Sequence, residues 1–270
     1  MDTGLRDQRI LVTGASGGIG AATARALAAE GAHVALHFLR GAEAADRLRD
    51  ELHEQHAVQA PPLQADLRNE LEVDRMFEYA IAALGRLDGI VVNAGVWPPE
   101  HVSIGRMTLA QWNDTVAVNL TGAFLCCRAF VRHLEQVPRD EAAIVLVGST
   151  AGIFGEPGHG DYAATKAGLR GLMLSLKNEI VHTAPRGRVN LVSPGWTATP
   201  MAEPSLRDEA LVARVTATMP LRKVATPEDV AVAIAFLLSP RSAGHISGVE
   251  LPVAGGMEGR LLRDPASGAT

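Results

Sequence analysis

A chain of 270 residues with 47% hydrophobic content can bury one sizeable core, so we predict a single domain over residues 1–270. The formal net charge is −5 and basic residues form no cluster, which argues against a nucleic-acid partner. The two cysteines, Cys126 and Cys127, are adjacent, so they cannot build a disulfide framework and match no metal-ligand spacing. The N-terminal residues lack a signal-peptide core, and we identify no uninterrupted apolar segment of membrane-spanning length. A cytoplasmic protein without a membrane or metal site is the expectation.

Strand and helix patterns alternate along the chain without a linker. Short apolar or β-branched runs predict strands at 10–12, 33–38, 58–65, 89–92, 143–147, 188–192 and 247–253. Helical spacing predicts helices at 21–29, 42–55, 69–84, within 108–135, at 161–182 and at 227–238. This alternation predicts an α/β fold, a Rossmann-like, doubly wound parallel sheet of about seven strands with helices on both faces. Ligands of such sheets bind beyond the carboxyl ends of the strands.

A glycine-rich segment joins the first predicted strand to the first predicted helix. It reads Thr13-Gly14-Ala15-Ser16-Gly17-Gly18-Ile19-Gly20 and is called the glycine turn below. Glycine allows positive φ and lets a ligand approach the backbone, and a helix N-terminus offers unpaired N–H groups to phosphates. The segment therefore predicts a dinucleotide site, with a purely structural turn as the alternative.

Tyr162 and Lys166 are four residues apart within a predicted helix, which places them on the same face. A free phenol has a pKa of about 10, and a neighbouring ammonium favours the phenolate. Such a pair can donate a proton to a carbonyl or take one from an alcohol. Ser149, at the end of the fifth predicted strand, could hydrogen-bond the substrate oxygen. The alternatives are a surface Tyr/Lys pair and a serine that only ends a strand.

These motifs, in this order, resemble the short form of the short-chain dehydrogenase/reductase family from about Arg9 to Gly256. The resemblance is carried by the glycine turn, Asn93-Ala94-Gly95, Tyr162-x-x-x-Lys166 and Pro194-Gly195. It implies an oxidoreductase that transfers a hydride between nicotinamide and a carbonyl or secondary alcohol, with Tyr162 as general acid/base. It also implies a homotetramer, in which the helices containing Cys126 and Tyr162 pack across a two-fold axis.

The resemblance implies roles for individual residues as well. The implied catalytic set is Asn119, Ser149, Tyr162 and Lys166, in which Lys166 also binds the nicotinamide ribose and Asn119 holds a water for proton relay. The implied cofactor contacts are Gly14, Ser16, Gly18, Ile19, Gly20, Asp66, Leu67, Asn93, Ala94, Gly95, Tyr162, Lys166, Pro194, Gly195, Thr197 and Thr199. Asp66 or Asn69 could instead be a helix N-cap, and the segment 93–95 could be an ordinary turn.

The choice of cofactor depends on charge after the second strand. Enzymes that prefer NAD usually carry an acidic residue there, which binds the adenosine ribose. Here the first carboxylate is Glu43, whereas Arg40 could pair with a 2′-phosphate. We therefore predict NADP(H), with NAD(H) as the alternative because the glycine turn carries no basic residue. Arg40 could also lie free in solvent.

Substrate recognition is the least determined part of the sequence. Candidate substrate contacts lie in predicted loops near the active site: Trp97, Glu156, His159, Trp196 and Met201. Residues 199–219 are expected to form a lid, because family members close a helical segment here, and residues 261–270 are expected to be mobile. The indoles favour a small-molecule substrate, a ring-containing or moderately polar carbonyl compound.

Other functions remain open at this point. Among enzymes of similar chemistry they are an NAD-dependent alcohol or polyol dehydrogenase and a 3-oxoacyl-carrier-protein reductase. An extended-type epimerase or dehydratase is disfavoured by the glycine spacing and by the short chain. A non-enzymatic dinucleotide-binding scaffold is disfavoured because all four implied catalytic residues are present.

Overall fold

The computed structural model describes residues 2–259, apart from the side chains at positions 204 and 205. Within these residues one sheet contains seven parallel strands in the order β3-β2-β1-β4-β5-β6-β7. The strands are β1 (Arg9–Val12), β2 (His33–Phe38), β3 (Pro62–Gln64), β4 (Gly89–Val92), β5 (Ala143–Val147), β6 (Arg188–Pro194) and β7 (Glu250–Val253). The order reverses between β1 and β4, which makes the cleft beyond these two strands the expected ligand site.

Ten α-helices connect and cover the strands within the same residues. They are α1 (Gly18–Ala29), α2 (Ala42–His56), α3 (Glu70–Leu84), α4 (Leu109–Val116), α5 (Gly122–Gln136), α6 (Thr150–Phe154), α7 (Gly160–Glu179), α8 (Glu203–Leu206), α9 (Glu209–Thr216) and α10 (Pro227–Leu238). A π-helical turn, Ala117–Thr121, joins α4 to α5, and a 3₁₀ turn, Ile180–His182, follows α7.

The core has two layers, one on each face of the sheet. Helices α1, α2 and α10 pack on one face, and α3, α5 and α7 pack on the other. Neighbouring strand residues point to opposite layers: Ile144 belongs to the second layer and Val145 to the first. The predicted doubly wound α/β fold is confirmed.

The predicted strand boundaries are least accurate at the edges of the sheet. The strand predicted at 58–65 is only three residues long, Pro62–Gln64, because prolines at 61 and 62 cannot donate to a ladder. The strand predicted at 247–253 begins at Glu250, and the one predicted at 188–192 continues to Pro194.

The helix predicted within 108–135 is interrupted by the π-helical turn. The whole stretch, Leu109–Gln136, also has the length and apolar composition of a membrane span, which the sequence analysis did not recognise. Half of its most apolar window is buried inside the fold, as in the core helix of a sheet protein. Both cysteines are buried there, and burial raises the pKa of the Cys126 thiol to about 12.

Candidate active site

The first element of the site is the junction between the glycine turn and the segment 93–95. The Thr13 hydroxyl accepts hydrogen bonds from the backbone N–H groups of Asn93 and Ala94 at 2.9 and 3.0 Å. The Asn93 amide in turn donates to the Thr13 carbonyl at 2.9 Å. These bonds hold the carboxyl ends of β1 and β4 together at the point where the strand order reverses.

The glycine turn has the geometry of a phosphate cradle. Gly14 has φ of +67°, and a Cβ on Gly20 would lie 2.1 Å from the Gly14 carbonyl oxygen. Gly17 is the N-cap of α1 and makes no side-chain capping bond. The first N–H groups of α1 therefore lack a side-chain partner and fit a pyrophosphate, which would complete the helix end.

Tyr162 and Lys166 lie side by side on α7, as the spacing predicts. The Lys166 ammonium nitrogen is 5.6 Å from the centre of the Tyr162 ring, and it donates a hydrogen bond to the Val147 carbonyl at 2.9 Å. Ser149 caps α6 by accepting the Ala151 N–H at 3.1 Å, and its side chain is close enough to the Tyr162 phenol to influence the pKa of that phenol. The site thus joins the end of β5 to the first two turns of α7.

The protonation states differ from the simple expectation of a stabilised phenolate. Burial raises the pKa of Tyr162 to about 12, although the nearby Ser149 side chain acts in the opposite direction and Glu156 adds to the rise. Burial also lowers the pKa of Lys166 to about 8. Nζ lies over the ring and is bonded to Val147 rather than to the phenol, and burial remains the largest influence on the Tyr162 pKa. The phenol is therefore protonated at neutral pH.

Asn119 lies in the π-helical turn and is almost completely buried. Its amide makes two hydrogen bonds with the backbone of Val96: Oδ1 accepts the N–H at 2.8 Å and Nδ2 donates to the carbonyl at 2.9 Å. A Cβ on Gly95 would lie 3.1 Å from Asn119 Oδ1 and 3.3 Å from Lys166 Nζ. Asn119 and Lys166 therefore approach each other across Gly95, where a side chain would separate them.

Other predicted cofactor residues surround this cleft. Arg40 is exposed after β2, and the Ser16 side chain packs against Gly41. Asp66 is not a helix N-cap: it pairs with Arg68 through two short bonds, and that pairing lowers the pKa of the carboxyl. Asn69 caps α3 instead.

The remaining predicted cofactor residues belong to the backbone of the cleft. Leu67 is buried, and Gly122 approaches it so closely that a Cβ there would lie 3.0 Å from the Leu67 Cβ. Pro194 is the last residue of β6, and Thr197 donates a hydrogen bond to the Gly195 carbonyl at 3.0 Å. Thr199 approaches the glycine turn, because a Cβ on Gly18 would lie 3.3 Å from its methyl group. Ile19 is half-buried against the first core layer.

The predicted substrate residues fall into two groups. Trp97 lies 4.7 Å from Tyr162 and 3.9 Å from His159, measured between ring centres. Glu156 is close enough to influence the Tyr162 pKa. By contrast, Trp196 packs on a separate cluster with Met219, Ala254 and Met257, and Met201 is 52% exposed.

Three polar residues of the site were missed by the sequence analysis. His101 contacts His159 edge to face at 5.9 Å, and Gly158 allows this approach because a Cβ there would overlap the His101 ring. Asp161, fully buried, accepts hydrogen bonds from Thr115 and from its own neighbour Tyr162. His37 contacts the glycine turn. No spacing motif marks His101 or Asp161, whereas His37 is a histidine within an otherwise apolar strand, which is a visible signal.

Three comparisons with known proteins agree with this geometry. Residues 14–258 match the family model described as enoyl-(acyl carrier protein) reductase. The chain is 37% identical over 256 residues to a 3-oxoacyl-[acyl-carrier-protein] reductase of Synechocystis sp., covering 94% of this chain and 98% of that protein. It is also 37% identical over 252 residues to the cis-4-hydroxycyclohexanecarboxylate dehydrogenase of Sinomonas cyclohexanicum, which covers 91% of this chain and 94% of that protein. A crystal structure described as a short-chain alcohol dehydrogenase from Sinorhizobium meliloti 1021 superposes with a TM-score of 0.88 at 32% identity, covering 95% and 98%.

Proposed function

Because the chain belongs to the short-chain dehydrogenase/reductase family, whose members act on C=O and CH–OH groups with a nicotinamide cofactor, we propose that it is an NADP(H)-dependent carbonyl reductase. One observation carries the proposal: the Tyr162 phenol lies between Ser149, Lys166 and Trp97 at the carboxyl edge of the sheet. A proton donor is thereby placed beside an aromatic wall, in the cleft that the glycine turn opens.

The chemistry follows from the charge states of these groups. When bound, the dinucleotide supplies the hydride. Tyr162, which its raised pKa keeps protonated, donates its proton to the carbonyl oxygen, while the Ser149 hydroxyl hydrogen-bonds that oxygen as negative charge develops. Carbon thus gains the hydride and oxygen gains the proton, which gives the alcohol. The Lys166 ammonium stabilises the resulting phenolate until it is reprotonated.

The preference for NADP(H) is supported by the residues after β2. Arg40 is exposed there, and the first carboxylate after β2 is Glu43 at the start of α2. Arg47 supplies a second positive charge near the glycine turn, since it lines a cavity of about 420 Å³ together with Ser16 and Gly18. Guanidinium groups match phosphate oxygens, so Arg40 and Arg47 favour the 2′-phosphate over a free ribose, although Glu51 and Glu228 also line the cavity.

A ring-containing carbonyl compound is the proposed substrate class. Trp97 and His159 form an aromatic wall beside the Tyr162 ring, and flat or cyclic groups pack well on such walls. The relative from Sinomonas cyclohexanicum is named for a cyclohexane alcohol, which supports the same class. A second candidate, reduction of a 3-oxoacyl thioester, is supported by the 37% identity to the Synechocystis protein.

We also propose a homotetramer in which α5 and α7 contribute to the subunit contacts. Phe124 on α5 and Leu174 on α7 are 43% and 41% exposed, which leaves an apolar surface on both helices. Light scattering after gel filtration should give about four times the chain mass of 28.5 kDa. A monomer would contradict this part of the proposal.

The function is tested by following nicotinamide absorbance with NADPH or NADH and a panel of carbonyl compounds. The panel contains 4-oxocyclohexanecarboxylate, its open-chain analogue and a 3-oxoacyl thioester. We expect oxidation of NADPH with the ring ketone, at a kcat/KM at least about tenfold above the open-chain analogue. Preference for the thioester would favour the second candidate, and no turnover with any carbonyl compound would exclude a reductase.

A further inference from the structure

His37 is a buried histidine near the end of β2, outside the set of catalytic and cofactor residues described above. Its ring lies between two segments that border the cofactor cleft. Nδ1 accepts the backbone N–H of Gly14 at 3.1 Å, and Nε2 lies 3.0 Å from the carbonyl oxygen of Ala65. The His37 carbonyl also accepts the N–H of Ala15 at 2.8 Å. One residue therefore binds two consecutive backbone groups of the glycine turn and the end of β3.

We propose that His37 is a positioning residue, which pre-orders the glycine turn for the dinucleotide through its neutral ring. The inference rests on the proposed function, because it assumes that the turn holds a dinucleotide. It adds a residue whose removal weakens cofactor binding although it need not touch the cofactor.

Gly14 has φ of +67° and no side chain, so its own packing does little to hold the peptide in one orientation. A turn that fluctuates in the free enzyme must be ordered when a ligand binds, and that ordering weakens the affinity. The bond from Gly14 N–H to His37 restricts this motion beforehand. The Ala65 bond restricts the ring in turn.

These partners select one protonation state of the ring. Nδ1 must carry a lone pair to accept the Gly14 N–H, and Nε2 must carry the proton to donate to the Ala65 carbonyl. Imidazolium would place an N–H against the N–H of Gly14. Burial lowers the pKa of His37 and so favours the neutral ring at neutral pH.

The charged groups around the ring only partly oppose the lowering of the His37 pKa by burial. Asp66, just beyond β3, raises the pKa of His37, but its carboxylate is paired with Arg68. Glu72 on α3 accepts the Asp66 backbone N–H. The glycine turn itself contains no titratable side chain. Acidification below the usual titration range of a histidine should therefore charge His37, remove the Gly14 acceptor and weaken dinucleotide binding.

The test compares three variants by fluorescence titration with NADPH and NADH and by steady-state kinetics. His37→Leu removes both ring bonds, and we expect its cofactor Kd and KM to rise by about tenfold to a hundredfold. His37→Asn places an amide oxygen where Nδ1 lies and cannot be charged, so it should restore most of the affinity. His37→Gln, whose longer side chain does not place an acceptor at that point, should resemble His37→Leu and covers the case in which the leucine variant misfolds.

The matched control is His33→Leu. The His33 ring also accepts a backbone N–H, that of Gln59 at 2.9 Å, but it does so at the amino end of β2, away from the cleft. This variant should lose thermal stability without a change in cofactor Kd. A purely structural role for His37 would make the two histidine variants alike in both measurements, and would overturn the inference.

The 2′-phosphate of the cofactor also titrates, so the pH dependence of the Kd must be compared between two proteins with the same ligand. The wild type should lose affinity at acid pH through protonation of His37. His37→Asn should lack that part of the loss. An unchanged acid limb in His37→Asn, or wild-type affinity in both His37→Leu and His37→Gln, contradicts the inference. Failure of the wild type to bind either dinucleotide would instead contradict the proposed function.

Discussion

The two walls of the cleft are built in different ways. The cofactor wall, made of the glycine turn and residues 93–95, is held by hydrogen bonds between buried backbone groups and short side chains such as Thr13 and Asn93. The proposed substrate wall, made of residues 96–107 and 155–159, depends on contacts between large side chains such as Trp97 and His159. Its outer residues are exposed, for example Ile104 at 73%.

Because the two walls are built differently, they tolerate substitution to different degrees. A wall made of backbone groups recognises the phosphates and ribose common to all nicotinamide dinucleotides and tolerates few substitutions. A wall made of side chains on loops can change its shape by substitution without loss of the sheet. We therefore expect substitutions that displace the backbone of the first wall to weaken cofactor binding, and substitutions in the second wall to change the preferred substrate.

The largest effect is expected at Tyr162, where the two walls meet. Tyr162→Phe removes the hydroxyl that donates the proton in the proposed mechanism, so kcat should fall by about a thousandfold while cofactor binding is retained. The other tyrosine of the chain, Tyr79, is 65% exposed on α3, and Tyr79→Phe is the control. Similar turnover of the two variants would remove Tyr162 from the mechanism.

The next largest effect tests the cofactor wall. In Gly20→Ala the new Cβ would lie 2.1 Å from the Gly14 carbonyl oxygen and 2.8 Å from the Asn93 amide nitrogen, so the turn must move. We expect the cofactor Kd to rise by about a hundredfold, equivalent to roughly 2.7 kcal/mol. Gly17→Ala is the control, because its Cβ meets no atom within 4 Å and its extended backbone suits any residue. Equal Kd values for both variants would mean that the turn does not hold the phosphates.

Substitution of Arg40 tests whether the cofactor wall selects NADPH over NADH. Arg40→Asp should shift the ratio of kcat/KM for NADPH over that for NADH by about thirtyfold toward NADH, since a carboxylate repels the 2′-phosphate and can bind the free ribose. Arg47→Asp, one turn into α2, should shift the ratio less, because Glu43 already lies 3.6 Å from this guanidinium. An unchanged ratio in Arg40→Asp would assign the selectivity elsewhere.

Prediction from the sequence succeeded where a local pattern determines the structure. Buried strands such as β4 and β5 were placed within a residue, because a parallel strand covered on both faces is a continuous apolar run. The edge strands were overestimated, and α6 was missed because five residues following Ser149 carry too little periodicity. The helix predicted at 69–84 is present as α3, but its first turn adds nothing to the core: Leu71 is 67% exposed, and the buried residues begin at Val73.

Prediction of the site also succeeded only where a local pattern contains the residues. Tyr162 and Lys166 could be identified because one helix spaces them, and the structure brings them together. The bonds between Asn119 and Val96, and those of His37, join residues more than twenty positions apart, so no local pattern contains them. Trp97 and Trp196 could not be distinguished from sequence, because only the path of the loop decides which indole reaches the tyrosine.

Replacing these two tryptophans tests the substrate wall. Trp97→Ala should raise the substrate KM by about tenfold for ring compounds and leave the cofactor Kd unchanged, because it removes an aromatic surface beside Tyr162. Trp196→Ala should change the substrate KM much less, since this indole packs on Met219 and Met257. A larger effect from Trp196 would place the substrate under the segment 199–219 rather than against the loop that follows β4.

The smallest effect concerns pH and again links the walls, through Lys166. Its amine has a pKa of about 8 instead of the usual 10.5, because burial disfavours the ammonium. Between these two values the unfolded chain binds a proton that the folded chain does not. The contribution of this group to the stability of the fold therefore increases as pH rises from about 8 to about 10.5.

Activity should instead fall as pH rises, since the charge that assists Tyr162 is lost above a pH of about 8. We expect kcat/KM for the cofactor, which reports groups of the free enzyme, to decline by a few-fold between about pH 8 and 9 while thermal stability does not decline with it. Lys166→Arg, which stays charged, should have lower activity but no such decline. A decline that persists in this variant would assign it to another group.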